Sequence, residues 1–295
     1  MKTFYLIDGF AFLYRAYYAV PEMKNFEGKN LNAVYGFLRM MLKRFSKHPE
    51  YLVITRDSPE KTFRHEQFPE YKAQRKKMED DFKDQIPLLR QIVEDLGIPA
   101  IAVPGYEADD ILASLVRKYK TTPEMEFYLY SGDKDLKQVL DDRVFIMDPV
   151  KDIPYKRQDF LNEFWFEPPF IVDYLTLLGD QSDNVKGVAG IGPQKASTLI
   201  YQYHTIEAIY ENLDYIDPTI AKLLRAGKED AFRSKKLIQL AEVDLSSLQL
   251  ETLKFKMDYE KYLSVLCEQH WFTSFRKFIE ELRREETKPK QMGLF

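Results

Sequence analysis

Short apolar segments alternate with amphipathic segments over the first half of the chain. Three apolar runs rich in β-branched and aromatic residues each end in an acid, at Thr3–Asp8, Tyr51–Asp57 and Glu126–Asp135, and a fourth run covers Ile98–Val103. The segments between them have the spacing of helices, at Phe10–Val20, Leu31–Lys47, Asp80–Leu96 and Ala108–Lys120. Strands that alternate with helices predict an α/β fold, in which helices flank a mostly parallel sheet.

From about residue 160 the pattern becomes purely helical. Turns in this half contain Gly179, Gly187, Gly190, Gly192 and Pro193. A last helix is predicted over Tyr259–Arg284, followed by a charged stretch and the five residues QMGLF. We therefore expect an α/β unit over residues 1–160, a helical unit over 161–284 and a tail over 285–295.

Composition excludes several classes of protein. With 45% hydrophobic and 31% charged residues among 295, the chain can bury a core, so global disorder is excluded. No apolar run reaches the roughly 18 residues of a membrane span, and Asp8, Gly9 and Arg15 interrupt the apolar start, which argues against a signal peptide. The single cysteine, Cys267, fits a reducing compartment. We expect a cytoplasmic protein without membrane contact.

The net charge of −4 conceals two basic stretches. Residues 61–77 and 222–236 each carry six basic residues against two acidic ones. A charge run by itself usually forms a solvated helix face. If many of the acids converge on one site, however, the rest of the surface is more basic than the net charge suggests.

Nine acids lie at predicted element ends, close to glycines or turn residues. They are Asp8, Asp57, Glu107, Asp109, Asp110, Asp133, Asp135, Asp180 and Asp183. Considered singly, most of them have an ordinary explanation, because acids favour first helical turns and cap helices. Glu107 and Asp110 are three apart and share a face if a helix begins there.

Considered together, the acids indicate a metal centre. Parallel strands end at one edge of a sheet, so the carboxylates would repel one another unless a cation neutralised them. Oxygen ligands without His or Cys indicate Mg²⁺ or Mn²⁺, and nine acids exceed the needs of one ion. Two or more ions are the arrangement that cleaves phosphodiesters.

Five segments carry a resemblance to a known family. They are IDGFAFLYRAYYA around Asp8, TFRHEQFPEYKAQR at 62–75, GYEADD at 105–110, SGDKDL at 131–136 and GDQSDNVKGVAGIGPQKA at 179–196. In this order they resemble the 5′-nucleases, the family of flap endonucleases and of the 5′→3′ exonuclease domain of bacterial DNA polymerase I. The chain resembles a free-standing member. The resemblance implies a PIN-like nuclease core, an arch or clamp over 61–90 and a helix–turn–helix DNA-binding region.

The resemblance also implies roles for individual residues. Asp8, Asp57, Glu107, Asp109, Asp110 and Asp133 match metal-binding acids, and Asp135, Asp180 and Asp183 match acids that complete the second ion's environment. Lys72 and Arg75 match basic residues at the base of the arch, which steer and polarise the scissile phosphate. Tyr71 is a candidate for stacking on a terminal base, with a packing aromatic as the alternative.

The glycine-rich loop at 187–196 resembles the DNA-gripping turn of these enzymes. Gly187, Gly190 and Gly192 would let the backbone approach phosphates at a helix N-terminus. The resemblance implies a K⁺ held by the loop carbonyls and a grip extended by residues 222–236. Lys195 lies three residues after Gly192, whereas relatives commonly place the lysine two after, so its DNA contact is left open.

The last five residues, QMGLF, resemble the bacterial sliding-clamp-binding pentapeptide. Gln291, Leu294 and Phe295 would be the contact residues. Because the pattern is short, a frayed end or an apolar tip packed on its own domain is the alternative.

The resemblance implies a monomeric, nucleoid-associated 5′-nuclease with exonuclease and flap-endonuclease activity. It would cut branched or 5′-flap DNA, or RNA–DNA primer junctions, during replication and repair. An RNA-directed nuclease of the PIN type is a second possibility, against which the helical half argues. A DNA- or clamp-binding protein with a dead site is a third. Its hallmark would be missing acids, and the full set is present.

Overall fold

The computed structural model describes residues 1–58, 60–148 and 151–287. A six-stranded sheet is formed by β1 (Lys2–Asp8), β2 (Tyr51–Thr55), β3 (Ala100–Ile101), β4 (Met125–Tyr130), β5 (Val144–Met147) and β6 (Pro154–Tyr155). The strand order is β3-β2-β1-β4-β5-β6. All neighbouring pairs are parallel except β5 and β6. The mostly parallel sheet predicted from the alternating pattern is therefore confirmed.

Helices cover both faces of this sheet. They are α1 (Gly9–Ala19), α2 (Asn32–Phe45) and α4 (Asp80–Asp95) on one face and α5 (Ala108–Tyr119) on the other, whereas a short α3 (Phe63–Gln67) contributes to neither of these two cores. The side chains of β1 alternate between two cores: Phe4 and Leu6 pack with α5, whereas Tyr5 and Ile7 pack with α1, α2 and α4. Burial on both faces explains why this strand is apolar throughout. Four of the five helices were predicted, and α3 was not.

The second half contains α6 (Arg157–Phe164), α7 (Ile171–Leu178), α8 (Pro193–Tyr203), α9 (Ile206–Glu211), α10 (Pro218–Ala226) and α11 (Lys228–Ile238). A small antiparallel hairpin, β7 (Gly179–Asp180) and β8 (Val185–Lys186), interrupts the helices, which the sequence pattern did not predict. The helices share one core, to which Tyr71 and Leu140 of the α/β half contribute. The two halves therefore meet through packed side chains.

The predicted single helix over Tyr259–Arg284 is wrong. The chain forms α12 (Tyr259–Tyr262), a π-helical segment (Leu263–Gln269) and, after a break, α13 (Phe275–Thr287). Trp271 adopts a φ of 58°, which interrupts helical hydrogen bonding. These segments pack with α2 and α4, and residues 240–253 pack in the core that contains α5, so the expected helical unit 161–284 is divided among three cores.

Other sequence expectations concern the membrane, the cysteine and the tail. Within the three described ranges, no helix has the length and apolar character needed to cross a bilayer. Cys267 is buried and free. The expected clamp-binding residues Gln291, Leu294 and Phe295 lie outside the described residues.

Candidate active site

Three adjacent central strands deliver acids to the same edge of the sheet. Asp8 is the last residue of β1, Asp57 lies two residues beyond β2, and Asp133 lies three residues beyond β4. Asp8 also caps α1, because its Oδ1 accepts a hydrogen bond from the Ala11 N–H at 2.9 Å. Its Oδ2 accepts one from Ser131 Oγ at 3.1 Å. The edge predicted from the sequence therefore exists, and hydrogen bonds fix the Asp8 carboxylate there.

The start of α5 adds further acids to this edge. Glu107 is the N-cap residue of α5, and Asp57 Oδ1 accepts a hydrogen bond from the Ala108 N–H at 2.9 Å. Asp109 lies in the first turn, and its Oδ1 is buried without a hydrogen-bond partner. Burial, followed by the charge of Asp133, raises the pKa of Asp109 well above its usual range. A buried carboxylate oxygen with no donor is costly unless a cation meets it.

The same effect extends across the inner acids. Burial, together with the charges of Asp57 and Asp133, raises the pKa of Asp8 to about 6. Burial is also the main reason why the pKa values of Asp57 and Asp133 are raised. Asp135 has a pKa well above the usual range, and its Oδ1 is likewise buried without a partner. These five acids, Asp8, Asp57, Asp109, Asp133 and Asp135, are called the inner acids below.

The outer acids are neutralised by the chain itself. Each of these acids has a close ion pair: Lys72 Nζ with Glu107 Oε1 (2.7 Å), Arg75 Nη2 with Asp183 Oδ1 (2.6 Å) and Lys134 Nζ with Asp180 Oδ2 (2.8 Å). Two longer pairs add to these, from Arg64 Nη1 to Glu107 Oε2 (3.2 Å) and from Lys72 Nζ to Asp183 Oδ2 (3.8 Å). Burial opposes ionisation of Asp180, but Lys134 and the bonds from Ser182 outweigh it and lower the pKa. The outer acids are thus paired with basic side chains, whereas the inner acids form no salt bridge within the described ranges.

The inner acids fit a hard divalent cation. In the part of the chain that the structure describes, no three acidic, histidine or cysteine side chains already stand where they could hold a metal ion unaided. Mg²⁺ needs only one or two carboxylates, since it keeps several waters. The two partnerless buried oxygens, on Asp109 and Asp135, and the mutual repulsion of the inner acids are what such an ion would relieve.

The Asp110 carboxylate, in contrast, faces Arg64, whereas the sequence predicted that it would bind metal. It is fully buried, and its two oxygens lie 2.7 and 2.8 Å from Arg64 Nη1 and Nη2. Its Oδ2 also accepts from the Glu107 N–H at 3.1 Å, and its Oδ1 from the Ala241 N–H at 2.9 Å. Both oxygens are saturated by the protein, so the geometry supports a structural ion pair and not a metal ligand.

Arg64 is a residue whose importance the sequence did not reveal. Its side chain is 2% exposed, and it donates to the carbonyls of Leu237 (2.8 Å) and Gln239 (3.1 Å) as well as to Asp110. It therefore connects α3, α5 and the end of α11. The sequence contained it in the 62–75 motif and in a basic stretch, but a charge run does not distinguish a buried guanidinium from an exposed one.

Tyr71 is placed for packing and hydrogen bonding. It is 5% exposed, and its hydroxyl lies 3.1 Å from Glu107 Oε2 and 3.3 Å from Asp183 Oδ2. The Lys72 ammonium lies 4.8 Å from the centre of its ring. A buried ring has no face free for a nucleobase, so the packing alternative fits this structure better than terminal-base stacking does.

The glycine-rich loop divides into buried and exposed parts. A Cβ on Gly187 would lie 2.2 Å from the carbonyl carbon of Leu178, so glycine is needed there for close backbone packing within the protein. Gly190 and Gly192 are exposed, and Gly192 precedes α8. Lys195 Nζ donates to the Gly190 carbonyl at 3.0 Å. Of the three expected glycine contacts, those of Gly190 and Gly192 remain open to a ligand.

The raised pKa of Asp8 predicts how stability depends on pH when metal is absent. The pKa is about 6 in the folded protein against a usual 3.8, so between these values the folded protein binds more protons than the unfolded chain. The free energy of unfolding therefore falls as the pH rises through this window. In EDTA, we expect urea unfolding to show a loss on the order of 1–3 kcal/mol between about pH 4 and pH 7.

Saturating Mg²⁺ provides the control for this prediction. A bound cation takes over the role of the proton, so the pH dependence should shrink when it is present. Stability in EDTA that increases steadily over the same window would contradict the arrangement of the inner acids.

Comparison with known proteins defines the class to which this fold and site belong. The model of the N-terminal resolvase-like domain of 5′-3′ exonucleases matches residues 3–165. The model of the 5′-3′ exonuclease C-terminal SAM fold matches residues 166–261. The two models together span both halves of the structure, including the inner acids and the glycine-rich loop.

Individual relatives agree with these models. A 5′-3′ exonuclease of Aquifex aeolicus is 36% identical over 297 residues, with 100% of each chain covered. DNA polymerase I of Bacillus caldotenax is 34% identical over 98% of this chain but only 33% of its own length, so this chain spans about a third of that relative. The chain belongs to the 5′-3′ exonuclease family.

Solved structures show the same fold at lower identity. The T5 D15 protein co-crystallised with metal ions has a TM-score of 0.69 at 19% identity, covering 95% of this chain and 99% of that one. The catalytic core of Rad2 in complex with a DNA substrate has a TM-score of 0.64 at 17% identity, with 95% and 92% covered. At these identities the likeness concerns the fold alone, and it confirms the expected α/β core with an appended helical region.

Proposed function

We propose that this protein is a divalent-metal-dependent 5′-nuclease that hydrolyses phosphodiester bonds in 5′-flap or branched DNA. The observation that carries the proposal is the group of five inner acids at one sheet edge, with two buried oxygens that lack a partner. Family membership supports the same activity. Among the solved structures of the same fold is the bacteriophage T5 D15 flap endonuclease with DNA and metal ions.

The inner acids would hold the metal, as two or more Mg²⁺ or Mn²⁺ ions. Bound ions of this kind lower the pKa of a water molecule and stabilise the charge of the reacting phosphate. Asp180 and Asp183 lie at the margin of this group, where Lys134 and Arg75 already neutralise them. We propose that these two acids, with Glu107, adjust the position of basic residues more than they bind metal directly.

Lys72 and Arg75 would act on the phosphate. In the structure, each of them pairs with an outer acid. A phosphodiester brought to the metal edge would compete for these cations, which then neutralise charge as the bond breaks. The side chain of Arg75 is half exposed and that of Lys72 mostly buried. We propose that Arg75 captures the incoming strand and Lys72 acts at the reacting centre.

The duplex would lie against the exposed loop before α8. Backbone N–H groups at a helix start bind phosphates without regard to base identity, so the enzyme would recognise the shape of a junction. The implied K⁺ in this loop would compete with the Lys195 ammonium for the Gly190 carbonyl. The proposal has four further parts. The protein would be a monomer, would act on RNA–DNA primer junctions as well, and would work in replication and repair at the nucleoid. It would bind the sliding clamp through Gln291, Leu294 and Phe295.

The deciding experiment is cleavage of a 5′-flap DNA labelled at both ends, with Mg²⁺ and with EDTA. We expect a cut at or next to the junction that appears only with Mg²⁺. Tight binding without cleavage in Mg²⁺ or Mn²⁺ would instead favour a DNA-binding protein with a dead site. Cleavage confined to RNA would favour an RNA-directed nuclease.

Lys72→Ala should slow cleavage far more than it weakens binding. The ammonium lies 2.7 Å from Glu107 at the edge of the inner acids, where a charge acts mostly on the transition state. We expect the single-turnover rate constant to fall by about 100-fold, with a change in the dissociation constant for flap DNA of less than about threefold.

Lys277→Ala supplies the matched control, because it removes the same charge from a side chain on α13 that is 88% exposed. It should leave both quantities near the wild-type values. Equal losses of rate and affinity in Lys72→Ala would reduce Lys72 to a contact with the DNA backbone.

A further inference from the structure

The segment that carries Lys72 and Arg75 is held in place by the β7–β8 hairpin. The Lys72 N–H donates to the Asp183 carbonyl at 3.0 Å. Asn184 Nδ2 donates to the Glu70 carbonyl at 2.8 Å. The side chain of Gln74 also donates to a hairpin carbonyl, that of Gln181. The hairpin therefore accepts hydrogen bonds from the Lys72 N–H and the Gln74 side chain, and it donates one from the Asn184 side chain to the Glu70 carbonyl.

Lys72 has little local structure of its own to fix it. It lies between α3 and α4, in a stretch of turns without a regular helix. Its φ of 57° is in the left-handed region, which residues other than glycine seldom adopt unless their surroundings impose it. Two turn bonds hold the segment locally, from the Ala73 N–H to the Glu70 carbonyl (3.2 Å) and from the Arg75 N–H to the Lys72 carbonyl (3.1 Å). The bonds to the hairpin add the tertiary constraint on the Lys72 backbone.

Asn184 is suited to this constraint by two properties. Its own φ is 58°, and asparagine tolerates the left-handed region better than most residues do. Its amide is a donor that an aspartate in the same place would lack. The other side of the hairpin is bound to the helical half, because Ser234 Oγ donates to the Lys186 carbonyl. One short hairpin thus connects α11 with the segment around Lys72.

We propose that Asn184 is a positioning residue for Lys72, and that the β7–β8 hairpin transmits the position of the helical half to the phosphate-facing cations. The inference rests on the proposed nuclease function. It assigns no contact between Asn184 and DNA or metal. The effect of Asn184 passes entirely through the backbone at Glu70 and the placement of the Lys72 ammonium.

Asn184→Gly tests this assignment without adding backbone strain, since glycine accepts a φ of 58° and only the amide is lost. We expect the single-turnover rate constant for flap cleavage to fall by about tenfold, because a small displacement of a catalytic group is costly. The dissociation constant for flap DNA should change by less than about twofold. In the Lys72→Ala background, Asn184→Gly should cause no further loss of rate.

Asn212→Gly is the matched control. Asn212, the C-cap residue of α9, also donates from Nδ2 to a backbone carbonyl at 2.8 Å, but the acceptor is Ala208 of the same helix. This variant should retain the wild-type rate. An equal loss from Asn184→Gly in the wild-type and Lys72→Ala backgrounds would show a general structural role and overturn the proposal, as would an unchanged rate.

Hydrogen exchange measured in EDTA provides a readout that does not depend on activity. In Asn184→Gly, the peptide covering residues 68–76 should exchange faster than in the wild type, whereas peptides of α8 should be unaffected. If the wild type fails to cleave DNA but this local change is seen, the proposed function fails and the positioning role stands. Unchanged exchange over 68–76 would overturn the positioning role whatever the activity.

Discussion

Asp109→Asn is expected to impair flap cleavage severely while making the metal-free protein more stable. Asp109 Oδ1 is buried without a partner, and its pKa is raised well above the usual range by burial and by Asp133. Removing its charge relieves repulsion in the folded state, so the melting temperature in EDTA should rise by about 2 °C or more. The same change removes a ligand oxygen, and the cleavage rate with Mg²⁺ should fall by about a thousandfold.

The combination of the two effects is the test. A core acid with a purely structural role would lose stability when neutralised, whereas a ligand in an acid cluster gains it. Asp142→Asn is the control, because it removes one negative charge from a side chain that is 87% exposed. It should change neither the rate nor the melting temperature appreciably. Wild-type cleavage by Asp109→Asn would remove this acid from the mechanism.

The sequence was sufficient to predict the acidic edge. Each strand of the central group has an apolar run that ends in or near an acid, and parallel strands necessarily place those ends together. Asp8, Asp57 and Asp133 follow from this rule without any side-chain detail. The helices α1, α2, α4 and α5 were also predicted, because each presents one strong apolar face to the sheet.

The sequence could not separate Asp109 from Asp110. Adjacent helical residues point about 100° apart, so one of them faces the strand ends while the other faces a different neighbour. That neighbour is Arg64, whose approach depends on how α3 packs against α5 and the end of α11. Such a contact between distant segments leaves no periodic pattern. Tyr71 was ambiguous for the same reason, since spacing does not indicate which aromatic is covered.

The structure also shows how the charge of the acidic edge is divided. The outer acids form ion pairs with Lys72, Arg75 and Lys134, whereas the inner acids form no salt bridge among the described residues. This division explains why a mildly negative protein contains strongly basic stretches. Part of the basic charge balances the site itself, and another part pairs with acids elsewhere, as Arg225 does with Asp214 and Lys235 with Asp173.

Asp110→Ala is expected to produce the largest loss of stability among the nine acids. The carboxylate is fully buried and forms two hydrogen bonds with Arg64, whose side chain is 2% exposed. Removing Asp110 leaves the Arg64 guanidinium with only the longer ion pair to Glu107 at 3.2 Å, and loss of one partner of a buried ion pair costs about 3–5 kcal/mol. We expect urea unfolding to show this loss equally in EDTA and in Mg²⁺, because protein groups already satisfy both oxygens of the Asp110 carboxylate.

Paired variants separate this role from metal binding. Arg64→Met combined with Asp110→Leu should be more stable than Asp110→Ala, since it leaves no unpaired buried charge. Asp110→Asn retains one acceptor for Arg64 and should lie between Asp110→Ala and the wild type. If Asp110 were instead a metal ligand, Asp110→Ala would match the wild type or exceed it in EDTA and lose stability only relative to the Mg²⁺-bound protein. That outcome, which is the behaviour expected of Asp109, would identify Asp110 as a metal ligand.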